Sequence, residues 1–453
     1  MYARKQDRVD KDRRLLNDHE IARVKELKEA FQQIDESQAF ACSGSFPASA
    51  VDFNKIALFC QAMKDGDAVG APQAFKLPLT NETAKEIYDA GEPSPFGRGK
   101  DLVYDDAYRQ ARELKPPHFA LTYDLLSASA FLPLLAEKLD YEVRLEARVN
   151  KLNAYGPGGF FKAHKDTPLG KDHIGTLMLC LPSPFEGGEL VIRQNGITTT
   201  FDWANQVKDS IAWGFLFSDC EHEVLPVKSG IRITIAYDIY ISRELSMKKD
   251  KTILDTRLEP MRRCLRTLID DVSFLPEGGS LAIGLAHGYP LGQDDSLRDF
   301  ETLLPSRLKA GDAILWKVVE KFGLERQWLA IYDKHDLGFG LEYEYGSRSE
   351  KQNKTSEAKD FTYQPEIILG DSFVALEGEY FGECSLDEFP VTQRKDLVWV
   401  TFPRAASVKN TYIAYGNEPQ SETAYAAVAL EVTIPSADKR TTHLGAIPET
   451  KND

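Results

Sequence analysis

The sequence predicts a mixed α+β protein: a central all-β sandwich or barrel of about 100 residues, helices before it and mixed α/β structure after it. Two observations carry this. From about residue 142 to 242, strand-like runs follow one another: YEVRLEARVNKLNAY, IGTLMLCL, GELVIR, TTTFDW, DSIAWGFLF, HEVLPV and GIRITIAYDIYI. Glycine-rich turns (GPGG, SPFEGG, RQNG, KSG) separate them, the texture of a sandwich or barrel. On either side, apolar residues recur at helical spacing instead.

Taken in order, residues 1–140 read as a mostly helical N-terminal region. Leu15, Leu16, Ile21, Val24, Leu27, Ala30 and Phe31 make an amphipathic stripe. Residues 96–115, PFGRGKDLVYDDAYRQAREL, read as a loop feeding a helix, and 119–140 carry an apolar helical face. Residues 141–245 are the β core. Residues 246–435 read as an accessory α/β lobe, with a helix over 254–272, a strand at GSLAIGLA, a helix in SRLKAGDAILWKVVEKFG, then strands at DLVWVTF and YAAVALEVTIP. A degenerate second barrel is an equal reading of that lobe. Residues 346–360 read as a polar loop and 436–453 as a polar tail.

Composition narrows the function. The chain has 453 residues, 42% hydrophobic and 28% charged, enough for two or three domains. A net charge of -15 argues against a nucleic-acid or anionic-membrane partner, because phosphates are repelled. The charged start, MYARKQDRVDKDRRLLND, has no apolar stretch of a secretory signal, and no apolar run is long enough to span a bilayer. Six scattered cysteines without a CxxC pair fit reduced thiols, so the expectation is a cytoplasmic or nuclear protein.

The chemistry begins in AYGPGGFFKAHKDTP. Its glycines suggest a phosphate cradle, but no Lys-Ser or Lys-Thr pair follows and no βαβ context surrounds them. The HKD that follows suggests half a metal site. In an extended segment His164 and Asp166, two apart, face the same side and could share an ion. Alone, such a pair equally describes a surface histidine near a surface aspartate.

His222 changes the balance. HEVLPV and IRITIAY read as a hairpin closed by Lys228-Ser229-Gly230, with Pro226 facing Arg232 and His222 facing Ala236. His222, Arg232 and Thr234 then share one face, while Ile231, Ile233 and Ile235 pack on the other. Arg232 lies roughly 13 Å along the sheet from His222, at about 3.3 Å per residue. That gap fits a metal, a short dicarboxylate and an arginine in series. A buried arginine requires an anion, and a guanidinium matches a carboxylate with two parallel hydrogen bonds. Two histidines and one carboxylate form the facial triad of non-heme Fe(II) oxygenases, with positions open for a 2-oxo acid and O₂. An arginine aimed at a far carboxylate makes 2-oxoglutarate the natural acid.

In this region, from about Asn153 to Tyr240, the sequence resembles the 2-oxoglutarate- and Fe(II)-dependent dioxygenases of the prolyl 4-hydroxylase type. The matching pieces are YGPGGFFKAHKDTP, LPSPFEGGEL, FSDCEHEV and GIRITIAY, in that order. The resemblance implies a double-stranded β-helix (jelly roll) with Fe(2+) on His164, Asp166 and His222. It implies Arg232 on the far carboxylate of 2-oxoglutarate, with Thr234 and Tyr155 beside that cosubstrate and ascorbate as an auxiliary reductant. The implied reaction hydroxylates an organic substrate, best a prolyl residue of a protein or peptide, with release of succinate and CO₂; a small-molecule substrate stays open. Relatives often carry a second tyrosine on the strand equivalent to GTLMLCLP. Leu179 and Cys180 stand nearest here, so that contact is absent or replaced.

Competing readings are weaker. His222-Glu223 begins like a zinc-protease motif, but Pro226 stands where its second histidine belongs. His173 is the nearest rival ligand and reads as a loop residue; His118, His287 and His335 have no ligand spacing. Cys220, Trp213 and Phe215 read as packing. The alternative from another class is a non-catalytic binding or scaffold protein that keeps the jelly roll.

Overall fold

A computed structural model describes residues 16–37, 40–46, 55–98, 101–139, 141, 143–207, 210–242, 251–292, 297–333, 367–370, 397–401, 416–417 and 423–444. The chain forms two compact units. One comprises Ala39–Lys249 and Tyr412–Ala424; the other comprises Met1–Gln38, Asp250–Thr411 and Tyr425–Asp453. The architecture is mixed α/β with many antiparallel sheets, consistent with a jelly roll.

Eight strands of the first unit organise it: β1 (Leu145–Tyr155), β2 (Phe160–His164), β3 (His173–Cys180), β4 (Leu190–Gln194), β5 (Ile197–Phe201), β6 (Ile211–Phe217), β7 (Glu221–Val224) and β8 (Arg232–Ile241). In one sheet the order is β6-β3-β8-β1, extended by Ala41–Phe46 beside β6 and by Arg112–Leu114 beside β1. In the other it is β5-β4-β7-β2, extended by Arg109–Gln110 beside β2. The chain changes sheet at the GPGG turn between β1 and β2. Gly158 there has φ 81°, and its N–H donates to the Val227 carbonyl at 2.8 Å.

β3 (HIGTLMLC) and β6 (IAWGFLF) are buried at every position, so they read as continuous apolar runs and not as alternating ones. Part of the covering is the helix Phe131–Lys138: Phe131 packs edge-on to Trp213 at 4.9 Å between ring centroids. Gly44, paired with Trp213, leaves room for that indole, since a Cβ there would lie 2.8 Å from its ring.

The helical N-terminal region is corrected. Helices are present at Asp18–Ser37, Asn81–Ala90, Leu125–Ala128 and Phe131–Lys138, but nine strands lie among them. The described residues of 96–115 hold no helix; Arg109–Gln110 is an edge strand, and Arg112–Leu114 pairs with β1 on one side and with Glu92–Pro93 on the other. DDAYRQAREL has helical composition, yet pairing with β1 and β2 decides its state, a tertiary override of local propensity.

The second unit has its own core. The helix Asp18–Ser37 opens with a capping box: Asn17 Oδ1 accepts from Glu20 N–H and Glu20 Oε2 from Asn17 N–H, both at 3.0 Å. Its stripe of Val24, Leu27, Phe31 and Ile34 packs in one cluster with Leu258, Met261 and Leu265 of the helix Lys251–Asp270. The same cluster takes in strands Gly279–Gly284 and Val428–Ile434 of a five-stranded sheet. The strands expected at GSLAIGLA, DLVWVTF and YAAVALEVTIP are present, and Ala310–Lys321 is helical. The amphipathic N-terminal helix therefore belongs with the C-terminal segments. The polar tail is corrected at its start, where Ala437–Leu444 is a helix. Arg440 anchors it, donating to the carbonyls of Pro435, Asp271, Phe274 and Leu275. Leu15, His335, residues 346–360 and residues 445–453 lie outside the described residues.

Candidate metal and cosubstrate site

His164 is the last residue of β2, and its Cα partner is His222 on β7. Asp166 follows two residues on. The three are buried, and one ligand atom from each lies within 4.8 Å of the other two, a group that could hold a metal ion. Even an equilateral triangle of that side has a centre within about 2.8 Å of each corner, so small adjustments reach bonds of roughly 2.1 Å. His222 Nε2 stands 3.7 Å from Asp166 Oδ1.

The surrounding hydrogen bonds prepare these groups. His164 Nδ1–H donates to the Lys162 carbonyl at 2.8 Å, and His222 Nδ1–H to the Cys220 carbonyl at 3.0 Å. Both imidazoles thereby leave Nε2 with a free lone pair. Burial, then the neighbouring His222 and Arg109, hold His164 well below its ordinary pKa, against the pull of the Lys162 carbonyl. It is neutral at pH 7. Thr176 on β3 donates its hydroxyl to Asp166 Oδ2 at 2.5 Å, leaving Oδ1 on the His222 side. Phe161 stacks on His164 at 3.6 Å between centroids, and the Arg109 guanidinium lies 4.4 Å from the centroid of the Phe161 ring.

Arg232 opens β8 opposite Tyr155, the last residue of β1. Its side chain is 1% exposed, with the guanidinium 5.4 Å from the Tyr155 ring centroid and 5.2 Å from that of Trp203. Nε and Nη2 are buried without a hydrogen-bond partner among the described residues. An unpaired buried cation is expensive, so this group fits an anionic ligand. Gly188, at φ 69°, makes the space: a Cβ there would lie 2.9 Å from Arg232 Cδ. Thr234, buried, pairs across the sheet with Asn153 and with Cys180. Burial pushes the Cys180 thiol up to about 12, although Arg232 pulls the other way, so it stays protonated.

One expectation is corrected. HEVLPV and IRITIAY are not a hairpin: β7 pairs with β2 and β4, β8 with β1 and β3. Val227–Gly230 pairs instead with Phe185–Gly187, and Leu225 N–H donates to Glu189, so the chain crosses between sheets there. The spacing of Arg232 from His222 along one sheet therefore does not apply. The burial of His222, Arg232 and Thr234 stands without it.

His173 lies outside the ligand group; its Nδ1 accepts from Leu169 N–H at 3.3 Å and ties the loop that leads into β3. Thr176, Gly188, Trp203 and Arg109 were not read from the sequence, because each reaches the site from a separate strand or loop and carries no local motif.

Residues 150–240 match the model of the 2OG-Fe(II) oxygenase superfamily. The match starts in β1 and ends in β8, and it contains every ligand of the candidate centre together with Tyr155, Arg232 and Thr234. A superfamily domain of this kind supports an oxidoreductase that uses Fe(2+) and 2-oxoglutarate. No curated protein matches the chain. Among solved structures, a viral collagen prolyl hydroxylase from Paramecium Bursaria Chlorella virus-1 is 20% identical over 30% of this chain and 81% of its own, with a TM-score of 0.23. A Pseudomonas putida prolyl-4-hydroxylase is 14% identical over 47% and 99%, with a TM-score of 0.26. A Trichoplax adhaerens prolyl hydroxylase, solved with a hypoxia inducible factor peptide fragment, is 13% identical over 48% and 90%, with a TM-score of 0.25.

Proposed function

We propose that the protein is an Fe(II)- and 2-oxoglutarate-dependent hydroxylase whose β1–β8 form a double-stranded β-helix. The observation that carries this is one compact unit holding both a buried, convergent His164/Asp166/His222 group and a buried Arg232 with two donors unpaired among the described residues. Iron would sit on His164 Nε2, Asp166 and His222 Nε2. Arg232, with Thr234 and Tyr155 beside it, would take the far carboxylate of 2-oxoglutarate. Iron with 2-oxoglutarate and O₂ supplies an oxidation that couples release of succinate and CO₂ to hydroxylation of a second substrate.

The chain's own residues do the rest. Lys162 and Cys220 carbonyls orient the two imidazoles; Thr176 holds Asp166 at Oδ2, with Oδ1 on the side of His222. Burial on both sheets excludes water, which strengthens the charge contact at Arg232. For the substrate, the prolyl-4-hydroxylase-like pieces YGPGGFFKAHKDTP and LPSPFEGGEL support a prolyl residue of a protein or peptide. Cys42, Cys60, Cys180, Cys220 and Cys264, which form no disulfide among the described residues, support a reducing, cytoplasmic or nuclear setting.

The test is succinate formation from 2-oxoglutarate with Fe(II) and ascorbate, lost in Asp166→Ala. Mass spectrometry of a proteome incubated with enzyme should then find added oxygen on prolyl residues. Succinate formed on a metabolite extract beside an unchanged proteome would reject the peptide substrate.

A further inference from the structure

The stretch between His164 and Thr167 is held by a part of the chain some 250 residues away. Asn417 Oδ1 accepts the Thr167 backbone N–H at 2.9 Å, across a sequence separation of 250. Gly416 beside it bridges Lys165, in parallel, and Gly97, antiparallel. The Gly97 contact is reciprocal, each N–H donating to the other's carbonyl at 2.9 Å. Residues 412–424 belong to the same compact unit as β1–β8, although more than 150 residues assigned to the other unit intervene.

The geometry points to Asn417 as a positioning residue for Asp166, an inference that rests on the metal-centre reading above. Thr167 N–H belongs to the peptide group whose carbonyl is that of Asp166. Fixing it fixes the plane from which the Asp166 side chain departs. Thr176 holds the same residue from the other end, at Oδ2. Asp166 is therefore clamped at backbone and carboxylate by two groups remote from each other in sequence. His164 and His222 have ring hydrogen bonds to carbonyls two residues earlier in the chain, Lys162 on β2 and Cys220 just before β7, and need no such reach. The carboxylate is the one ligand beyond the end of its strand, where a ladder no longer defines the backbone. A buried N–H is nearly always paired, and Thr167 is 1% exposed. The consequence is a metal site whose completion requires the C-terminal part of the chain.

The experiment uses the full chain. Mn(II) binding is titrated calorimetrically in wild type, Asn417→Ala and Asn417→Asp, with hydrogen exchange of the Thr167 amide followed by NMR. Groups that orient metal ligands typically change affinity by about 10–100-fold. Asn417→Ala should therefore weaken Mn(II) binding by about that factor and speed exchange at Thr167. Asn417→Asp keeps an acceptor oxygen and should restore both. Unchanged affinity and unchanged exchange in a folded Asn417→Ala would overturn the inference. If Asn417→Ala does not fold, wild-type exchange and Asn417→Asp decide: a Thr167 amide that exchanges like an exposed one contradicts the contact, and so does an acceptor-bearing Asp variant that loses Mn(II). Absence of Mn(II) binding in wild type would instead count against the metal centre itself.

Discussion

Arg232→Met should lower cosubstrate affinity far more than it changes the stability of the ligand-free protein. Arg232 is 1% exposed, and two of its guanidinium nitrogens are buried without hydrogen-bond partners among the described residues. Replacing an uncompensated buried charge by an apolar side chain of similar length removes a desolvation cost, a change that is often neutral or stabilising by about 1–4 kcal/mol. The contacts to Tyr155 and Trp203 offset part of that, at about 0.5–2 kcal/mol each. The two contacts together offset about 1–4 kcal/mol, so the ligand-free variant should lie within about 3 kcal/mol of wild type in either direction. Losing a buried charge-assisted pair costs about 2–5 kcal/mol of binding, or roughly 30-fold to several-thousand-fold in 2-oxoglutarate affinity. The assay is chemical denaturation with Mn(II), with and without 2-oxoglutarate. A ligand at about 100 times its Kd stabilises wild type by about 2.7 kcal/mol, and at the same concentration that increment should fall to about 0.9 kcal/mol or less in the variant. A variant that is strongly destabilised yet still stabilised by 2-oxoglutarate would refute the reasoning, because Arg232 would then be a packed structural group.

Three further outcomes follow from the same contacts. Thr176→Val keeps the shape of the side chain but removes the donor to Asp166 Oδ2; Mn(II) affinity measured by EPR should fall about 10–100-fold with little change in unfolding temperature. Gly188→Ala puts a methyl against Arg232 Cδ and Val227 Cγ2 at φ 69°, so the KM for 2-oxoglutarate should rise and stability fall by about 1–3 kcal/mol, read by steady-state kinetics and denaturation. Glu113 supplies a pH dependence. Burial alone pushes its carboxyl up, but Lys151 at 3.3 Å, Arg109, the Ser94 hydroxyl and Lys115 together hold it below the ordinary value of 4.5. Its folded-state pKa is thus depressed, and its contribution is complete above about pH 4.5 and lost as pH falls through the folded value. Denaturation of Glu113→Gln against wild type should show a stability deficit at pH 7 that narrows in acid; a constant deficit would refute the assignment.

The candidate centre was legible because its ligands sit in short, ordered pieces. His164 and Asp166 are two apart, and His222 and Arg232 lie on strands recognisable from their apolar runs. Their mutual register was not legible. Whether 225–231 turns back or crosses over depends on Phe185–Gly187 and Glu189 accepting it, and such pairing leaves no local trace. The same holds for Arg112–Leu114, helical in composition and a strand at the edge of β1. Thr176, Gly188 and Asn417 act through single contacts across long sequence separations, so no periodicity marks them. The N-terminal stripe of Val24, Leu27 and Phe31 was plain as a helix; its packing against Leu258 and Met261 of a helix over 200 residues later was not.

Anaerobic titration of the protein with Fe(II) and 2-oxoglutarate tests the metal and cosubstrate site most directly. A centre built from His164, Asp166 and His222, with Arg232 on the far carboxylate, should produce a visible metal-to-ligand charge-transfer band that saturates at one equivalent of each. The band should be absent in Asp166→Ala, and Arg232→Met should require far more 2-oxoglutarate to reach it. Wild-type protein that binds neither component, or develops no band with both present, would contradict an oxygenase centre and leave the non-catalytic binding or scaffold reading in its place.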